Sequence, residues 1–195
     1  MSSMKGLFDL QGKVAVVTGG SRGIGAMIAQ GFVEAGVKTY ITARREEELN
    51  ATAKALSEMG ECIAIVSDLG TVEGVTAFAQ EIASREEKLH ILVNNAGASW
   101  GVSIDEYPES GWDKVMDLNV KSLFFLTQKL LPQLRAAATA EDPARVINIG
   151  SVNGERYAGL KAYAYVASKS AVHHMSREIA ADLAPDNINV NVIAP

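Results

Sequence analysis

Hydrophobic residues along this chain fall into two alternating rhythms. Short β-branched runs at 13–18, 37–42, 61–66, 90–94, 145–149 and 189–193 read as strands. Runs such as V-A-V-V and I-L-V-N are apolar at consecutive positions, which predicts strands covered on both faces. Between them, helical spacing predicts helices near 23–35, 45–59, 72–87, 111–137 and 163–184. In the first, Ile24, Ile28 and Phe32 share a face; in the last, Val172, Met175, Ile179 and Leu183 do so. Regular strand–helix alternation with right-handed crossovers implies a doubly wound α/β fold with a parallel sheet. No repeat, linker or low-complexity segment interrupts it, and the Ala-rich stretch at 136–144 reads as a helix end and loop.

Composition narrows this picture only a little. A length of 195 residues suits a single domain with a sizeable core. No apolar run approaches the roughly 18 residues of a membrane span. The opening M-S-S-M-K-G-L-F-D-L lacks the long apolar segment of a leader, so a cytoplasmic protein without membrane partners is expected. A net charge of −5 argues against nucleic acid as the main partner, yet leaves room for a local basic pocket. The lone Cys62 lies in an apolar run and reads as a buried, inert thiol. No His, Cys or carboxylate spacing suggests a metal site. The last residues, Ile193-Ala194-Pro195, follow directly on a strand, where open α/β sheets place a ligand-binding loop. A chain lacking that loop is therefore expected, although a natural product of this length is an alternative.

The first chemical signal is Thr18-Gly19-Gly20-Ser21-Arg22-Gly23-Ile24-Gly25, between the first strand and the first helix. Glycines there let the backbone approach a pyrophosphate, whose charge a helix N-terminus stabilises. The spacing Gly-x-x-x-Gly-x-Gly differs from the G-x-G-x-x-G fingerprint, and no Gly-Lys-Ser/Thr ending marks an NTPase. A glycine-rich turn that binds nothing is the plain alternative. The second strand ends in Thr42-Ala43-Arg44-Arg45, where an acidic residue would suit NAD and an arginine suits the 2′-phosphate of NADP. Arg44, assisted by Arg22, could make charge-assisted bonds to that phosphate. Alternatively, Arg44 and Arg45 are exposed residues facing Glu46 to Glu48.

The second signal is a pair four residues apart in a predicted helix, Tyr165 and Lys169. This spacing stacks a phenol and an ammonium on one face. A fixed positive charge stabilises phenolate and makes a phenol a better proton donor and acceptor, as ketone reduction requires. Tyr157 and Lys161 share the spacing, but Gly159 between them argues for a loop. Ser151 follows the apolar strand R-V-I-N-I-G and so stands at a strand's carboxyl end, fourteen residues before Tyr165. Asn119, in D-L-N-V, is a poor helix-interior residue by propensity. His173 and His174 read as packing or interface groups, and His90 merely precedes a strand. Trp100 reads equally as packing or as a substrate-cavity wall, and Tyr157 as a further candidate for that wall.

With Asn94-Asn95-Ala96-Gly97 after the fourth strand, these motifs make the chain resemble the short-chain dehydrogenase/reductase family from about Gly12 to Pro195. The resemblance implies a Rossmann-type NAD(P)-binding catalytic domain over 1–195, without the family's substrate loop and last strand. It implies catalytic roles for Asn119, Ser151, Tyr165 and Lys169, with Asn119 helping to hold a water chain to Lys169. It places Gly19, Ser21, Arg22, Gly23, Ile24, Gly25, Arg44, Asp68, Leu69, Asn95, Ala96, Gly97, Tyr165, Lys169 and Pro195 at the cofactor. It also implies a homodimer or homotetramer paired through the helices near 111–137 and 163–184.

S-W-G after N-N-A-G, and A-R-V-I-N-I-G-S-V-N-G, are similar to bacterial 3-oxoacyl-(acyl carrier protein) reductases, those of rhamnolipid synthesis among them. NADPH-dependent reduction of a 3-oxoacyl thioester is the activity this resemblance implies, with acyl carrier protein as a partner. Fold and motifs alone do not fix the substrate. Another NADP-dependent alcohol or ketone oxidoreductase, or a truncated non-catalytic nucleotide-binding module, are the alternatives.

Overall fold

The computed structural model describes residues 9–157 and 159–195; the first eight residues, on which the reading of the N-terminus partly rests, lie outside them. Six parallel strands form one sheet: β1 (Val14–Thr18), β2 (Lys38–Ala43), β3 (Cys62–Val66), β4 (Ile91–Asn94), β5 (Ala144–Ile149) and β6 (Ile188–Ile193). Their order is β3-β2-β1-β4-β5-β6. The chain reverses direction across the sheet between β1 and β4, and a crevice at such a switch point is where ligands bind.

Strand β1 shows why Val14 to Val17 are apolar at consecutive positions. Val14 and Val16 enter one buried cluster with Phe78, Ile82, Leu92 and Leu126. Ala15 and Val17 enter the opposite cluster with Val33, Ile41, Leu49 and Val93. Alternate side chains point to opposite faces, so a strand covered on both sides runs apolar at consecutive positions. The covering helices are α1 (Gly23–Glu34), α2 (Glu46–Leu56), α3 (Val72–Arg85), α4 (Glu109–Met116), α5 (Ser122–Ala137) and α6 (Tyr163–Leu183). Helix α3 starts where the Thr71 hydroxyl accepts the Gly74 N–H at 3.0 Å. Helix α2 carries Glu46, Glu47 and Glu48 in its first turn and Lys54 in its last, complementing its dipole.

Two sequence expectations change. The fully buried stripe of α1 is Gly25, Ala29 and Val33, one position along from the expected face. Ile28 and Phe32 flank this stripe, while Ile24 is exposed at the helix start. Small residues bring the helix close to the sheet, so the bulkier ones move to its flanks. The helix expected at 111–137 spans that stretch but is not α-helical throughout: a π-helical turn, Asp117–Lys121, joins α4 to α5. Asn119 sits in that turn, where its side chain bonds outside the helix, consistent with its poor helix-interior propensity.

A buried polar chain joins the layers beneath the switch point. The Asn94 amide donates to Asn148 Oδ1 at 2.9 Å and to Thr127 Oγ1 at 3.1 Å. The Asn148 amide in turn donates to Ser176 Oγ at 2.8 Å. These bonds fix β4 and β5 against α5 and α6 and satisfy polar groups that are costly to leave unpaired.

Candidate active site

The turn after β1 is held by its neighbour strand. Thr18 Oγ1 accepts the backbone N–H groups of Asn95 and Ala96, both at 2.9 Å. Asn95 Nδ2 donates back to the carbonyls of Thr18 at 2.8 Å and Gly19 at 3.2 Å. Gly19 has φ +66°, and a Cβ on Gly25 would lie 2.2 Å from the Gly19 oxygen. Close packing of helix against turn therefore requires glycine at 25. The N-cap of α1 is Arg22 and makes no side-chain capping bond, and the first turn has no acidic residue. Its orphan N–H groups and positive dipole end suit an anion.

Beyond this turn opens a cleft of about 370 Å³, bordered by Gly19, Ser21, Arg22, Gly23, Ile24, Gly25, Arg44, Asp68, Leu69, Asn95, Ala96 and Gly97. Thr42, Ala43, Arg45, Glu48, Ser67 and Leu118 also line it, beyond the sequence-expected set. Arg44 is exposed and makes no ion pair among the described residues. Arg22 and Arg45 both reach Glu48, at 3.7 and 3.9 Å. The alternative of arginines turned towards the glutamates thus describes Arg45 but not Arg44. Asp68 Oδ1 accepts the Gly70 N–H at 2.9 Å, which orients its carboxylate at the cleft edge. Leu69 is mostly core.

A second cavity shares Ile24, Asn95 and Gly97 with the first and is lined by Ser151, Tyr165, Lys169 and Pro195. Ser151 lies just beyond β5, and its Oγ accepts the Asn153 N–H at 3.3 Å. That contact leaves the hydroxyl proton free to donate. Lys169 is 6% exposed and donates to the Ile149 carbonyl at 2.6 Å. Its Nζ lies 5.7 Å from the centre of the Tyr165 ring. Desolvation by burial lowers the Lys169 pKa to about 8, so the group is mostly charged at neutral pH.

Asn119 does not line this cavity but braces it. Its Oδ1 accepts the Ala98 N–H at 2.7 Å, and its Nδ2 donates to the Ala98 carbonyl and Ser168 Oγ, both at 2.9 Å. Ser168 Oγ donates to the Tyr165 carbonyl at 2.7 Å, tying the start of α6 to the loop after β4.

Other candidates sort plainly. Tyr157 is 98% exposed on a loop and does not line the Ser151–Tyr165 cavity, which corrects its reading as a wall. Lys161 is also on the loop, where its carbonyl accepts the Val102 N–H. Trp100 packs at Gly111 of α4 with Lys114 over its ring and is not among the residues lining the Ser151–Tyr165 cavity. Cys62 is buried, with its thiol pushed up to about 11 by desolvation. His173, expected to be a packing or interface group, is buried and accepts the Ser151 N–H. The signal for it was present: Tyr165, Lys169 and His173 follow at successive four-residue steps.

No helix among the described residues is long and apolar enough to cross a membrane, and no cluster of three potential metal ligands occurs there.

A parallel sheet of order 3-2-1-4-5-6, a glycine turn at its switch point and a Ser–Tyr–Lys cavity beside it define a dinucleotide-dependent oxidoreductase class. The chain belongs to the short-chain dehydrogenase family, whose model matches residues 13–195. It is 55% identical to the rhamnolipids biosynthesis 3-oxoacyl-(acyl-carrier-protein) reductase of Pseudomonas aeruginosa, over 96% of this chain and 73% of that protein. A 2-dehydro-3-deoxy-D-gluconate 5-dehydrogenase of Dickeya dadantii is 36% identical over 96% of this chain and 72% of its own length. Among solved structures, the Pseudomonas aeruginosa RhlG/NADP active-site complex superposes with a TM-score of 0.94. It is 55% identical and is matched over 96% of this chain and 73% of that one. A metagenomic short-chain oxidoreductase in complex with NADP, 32% identical, gives 0.88 over 96% of this chain and 83% of its own.

Proposed function

We propose that residues 1–195 form a catalytic domain that reduces a ketone to a secondary alcohol with NADPH, its substrate a 3-oxoacyl thioester. The observation that carries this reading is a pair of adjoining cavities: one bordered by the glycine turn and Arg44, the other by Ser151, Tyr165 and Lys169, with Ile24, Asn95 and Gly97 lining both. The residues present fit a dinucleotide. The uncapped start of α1 and the turn's missing Cβ atoms suit a pyrophosphate, and Arg44, which pairs with no carboxylate among the described residues, suits a 2′-phosphate. When bound, NADPH would supply the hydride.

The chain's own groups do the rest. The Ser151 hydroxyl would donate to the substrate carbonyl oxygen, orienting it and stabilising its developing negative charge. Tyr165 would give that oxygen its proton as general acid, and the nearby Lys169 charge stabilises the phenolate left behind. Asn119 would support Tyr165 through Ser168 and the Ala98 backbone rather than by touching the substrate.

Identity to a protein named as a 3-oxoacyl-(acyl-carrier-protein) reductase supports the thioester substrate, and acyl carrier protein is the corresponding partner. The same reading includes a cytoplasmic setting and a homodimer or homotetramer. Trp112 and Phe124 are exposed, and Met116 and Val120 only half-buried, so this helical surface can take cover from a second copy. A panel of 3-oxoacyl thioesters, keto sugar acids and simple ketones, each followed by NADPH oxidation, tests the substrate class. Higher kcat/KM for the thioesters is expected; a preference for simple ketones would favour the broader alcohol/ketone oxidoreductase. NADPH binding without turnover of any ketone would favour the non-catalytic module.

A further inference from the structure

Resting on the role proposed for Ser151, we infer that His173 is a positioning residue that sets the Ser151 backbone, and with it the hydroxyl, from behind the active-site cavity. His173 lies on α6, four residues beyond Lys169, and its side chain is nine-tenths buried. Its Nε2 is 3.2 Å from the Ser151 backbone nitrogen. Its Nδ1 is 3.1 Å from Glu155 Oε1, on the segment that follows Ser151.

The donors fix the form of the ring. A backbone N–H can only donate, so Nε2 must present its lone pair to Ser151. The neutral ring then carries its proton on Nδ1, directed at the Glu155 carboxylate. The imidazole thus grips the segment at two points, the amide of residue 151 and the carboxylate of residue 155. The Nε2–H tautomer would set two N–H groups against each other at Ser151.

The residue between β5 and Ser151 leaves room for this ring. A Cβ built on Gly150 would fall 2.2 Å from His173 Nε2 and 2.7 Å from His173 Cδ2. Any larger residue at 150 would displace the imidazole or the turn. Ser151 lines the proposed substrate cavity, whereas His173 lines a separate cavity with Glu155, Ser176 and Arg177. His173 thus stands outside the cavity that Ser151 lines, and its contact with that cavity's residues is the bond to the Ser151 backbone. Position matters there because displacing a substrate-orienting group by about 1 Å can cost on the order of 100-fold in rate.

Two measurements test this. The first needs no turnover: ¹⁵N NMR of the imidazoles in the protein without cofactor, with His173 assigned by its absence in His173→Gln. A protonated Nδ1 and unprotonated Nε2 are expected, and an Nε2–H tautomer would overturn the inference. The second is a kinetic cycle with His173→Leu, His173→Gln and Ser151→Ala. His173→Leu removes the acceptor and is expected to lower kcat by about 10- to 100-fold with little change in NADPH affinity. His173→Gln can place an amide oxygen near the Nε2 position and is expected to recover most of that loss.

In the Ser151→Ala background the hydroxyl is gone, so both His173 substitutions should change kcat less than about twofold. If Ser151→Ala has normal activity, the proposed role of Ser151 fails. If Ser151→Ala is slow and the His173 effects remain fully additive, only the His173 inference fails. Should His173→Leu not fold, the tautomer and the behaviour of His173→Gln in the two backgrounds still decide.

Discussion

Lys169 donates to the Ile149 carbonyl at 2.6 Å while its ammonium lies 5.7 Å from the centre of the Tyr165 ring. The end of β5 thus holds the charge that the proposed proton donor needs, before any ligand arrives. The same burial has a thermodynamic cost, because the charged form loses hydration.

That cost is measurable through pH. Lys169 releases its proton near pH 8 when folded, against the ordinary value of 10.5. Between these values the unfolded chain binds more protons, so this group's contribution to stability rises with pH. Below about 8 its full cost is present. Comparing wild type with Lys169→Met by urea unfolding without cofactor, wild type should gain about 3 kcal/mol relative to the variant between pH 7 and 10.5. A pH-independent difference would remove the buried-charge account of Lys169.

Arg44→Ala tests the choice of cofactor. Losing a charge-assisted contact to a 2′-phosphate costs about 1.5–3 kcal/mol, or roughly 10- to 100-fold in NADPH affinity. NADH binding should change less than about twofold, and the NADPH loss should shrink at high salt. Fluorescence titration of both nucleotides would expose the idea as wrong by showing equal losses.

Gly25→Ala tests the close approach of α1 to the turn. A Cβ there would sit 2.2 Å from the Gly19 oxygen and 2.5 Å from Asn95 Nδ2, so the turn must move. NADPH affinity should fall by more than about tenfold, accompanied by about 1–3 kcal/mol of lost stability, the usual range for overpacking. Unchanged affinity and melting temperature would show that the turn tolerates the displacement.

Asn119→Ala should act on structure as well as on rate. It leaves the Ala98 N–H and carbonyl and the Ser168 hydroxyl without that partner. A stability loss of about 1–3 kcal/mol is expected, the range for one newly unsatisfied buried polar group. Amide exchange at Ala98 should accelerate, and wild-type protection there would refute the bracing role.

Much of the fold was legible because strand and helix periods differ and β1 is apolar on both faces. The π-helical turn at Asp117–Lys121 was not, because it keeps nearly the helical spacing of apolar residues; Asn119, a poor helix-interior residue, was its trace. The buried face of α1 was misread by one residue, because Gly25 and Ala29 carry little hydrophobic signal yet sit against the sheet. At the site, Ser151 and Tyr165 could be read from their positions relative to strand and helix. The His173 contact to Ser151 joins residues 22 apart in sequence and required the packing of α6 against β6 and the short turn after Ser151.

The most direct test compares wild type, Tyr165→Phe and Tyr157→Phe in NADPH oxidation with a 3-oxoacyl thioester. Loss of the general acid in Tyr165→Phe should lower kcat by roughly 10²- to 10⁴-fold, while Tyr157→Phe turns over at close to the wild-type rate. Near-normal turnover by Tyr165→Phe would contradict the proposed proton donor and the mechanism built on it.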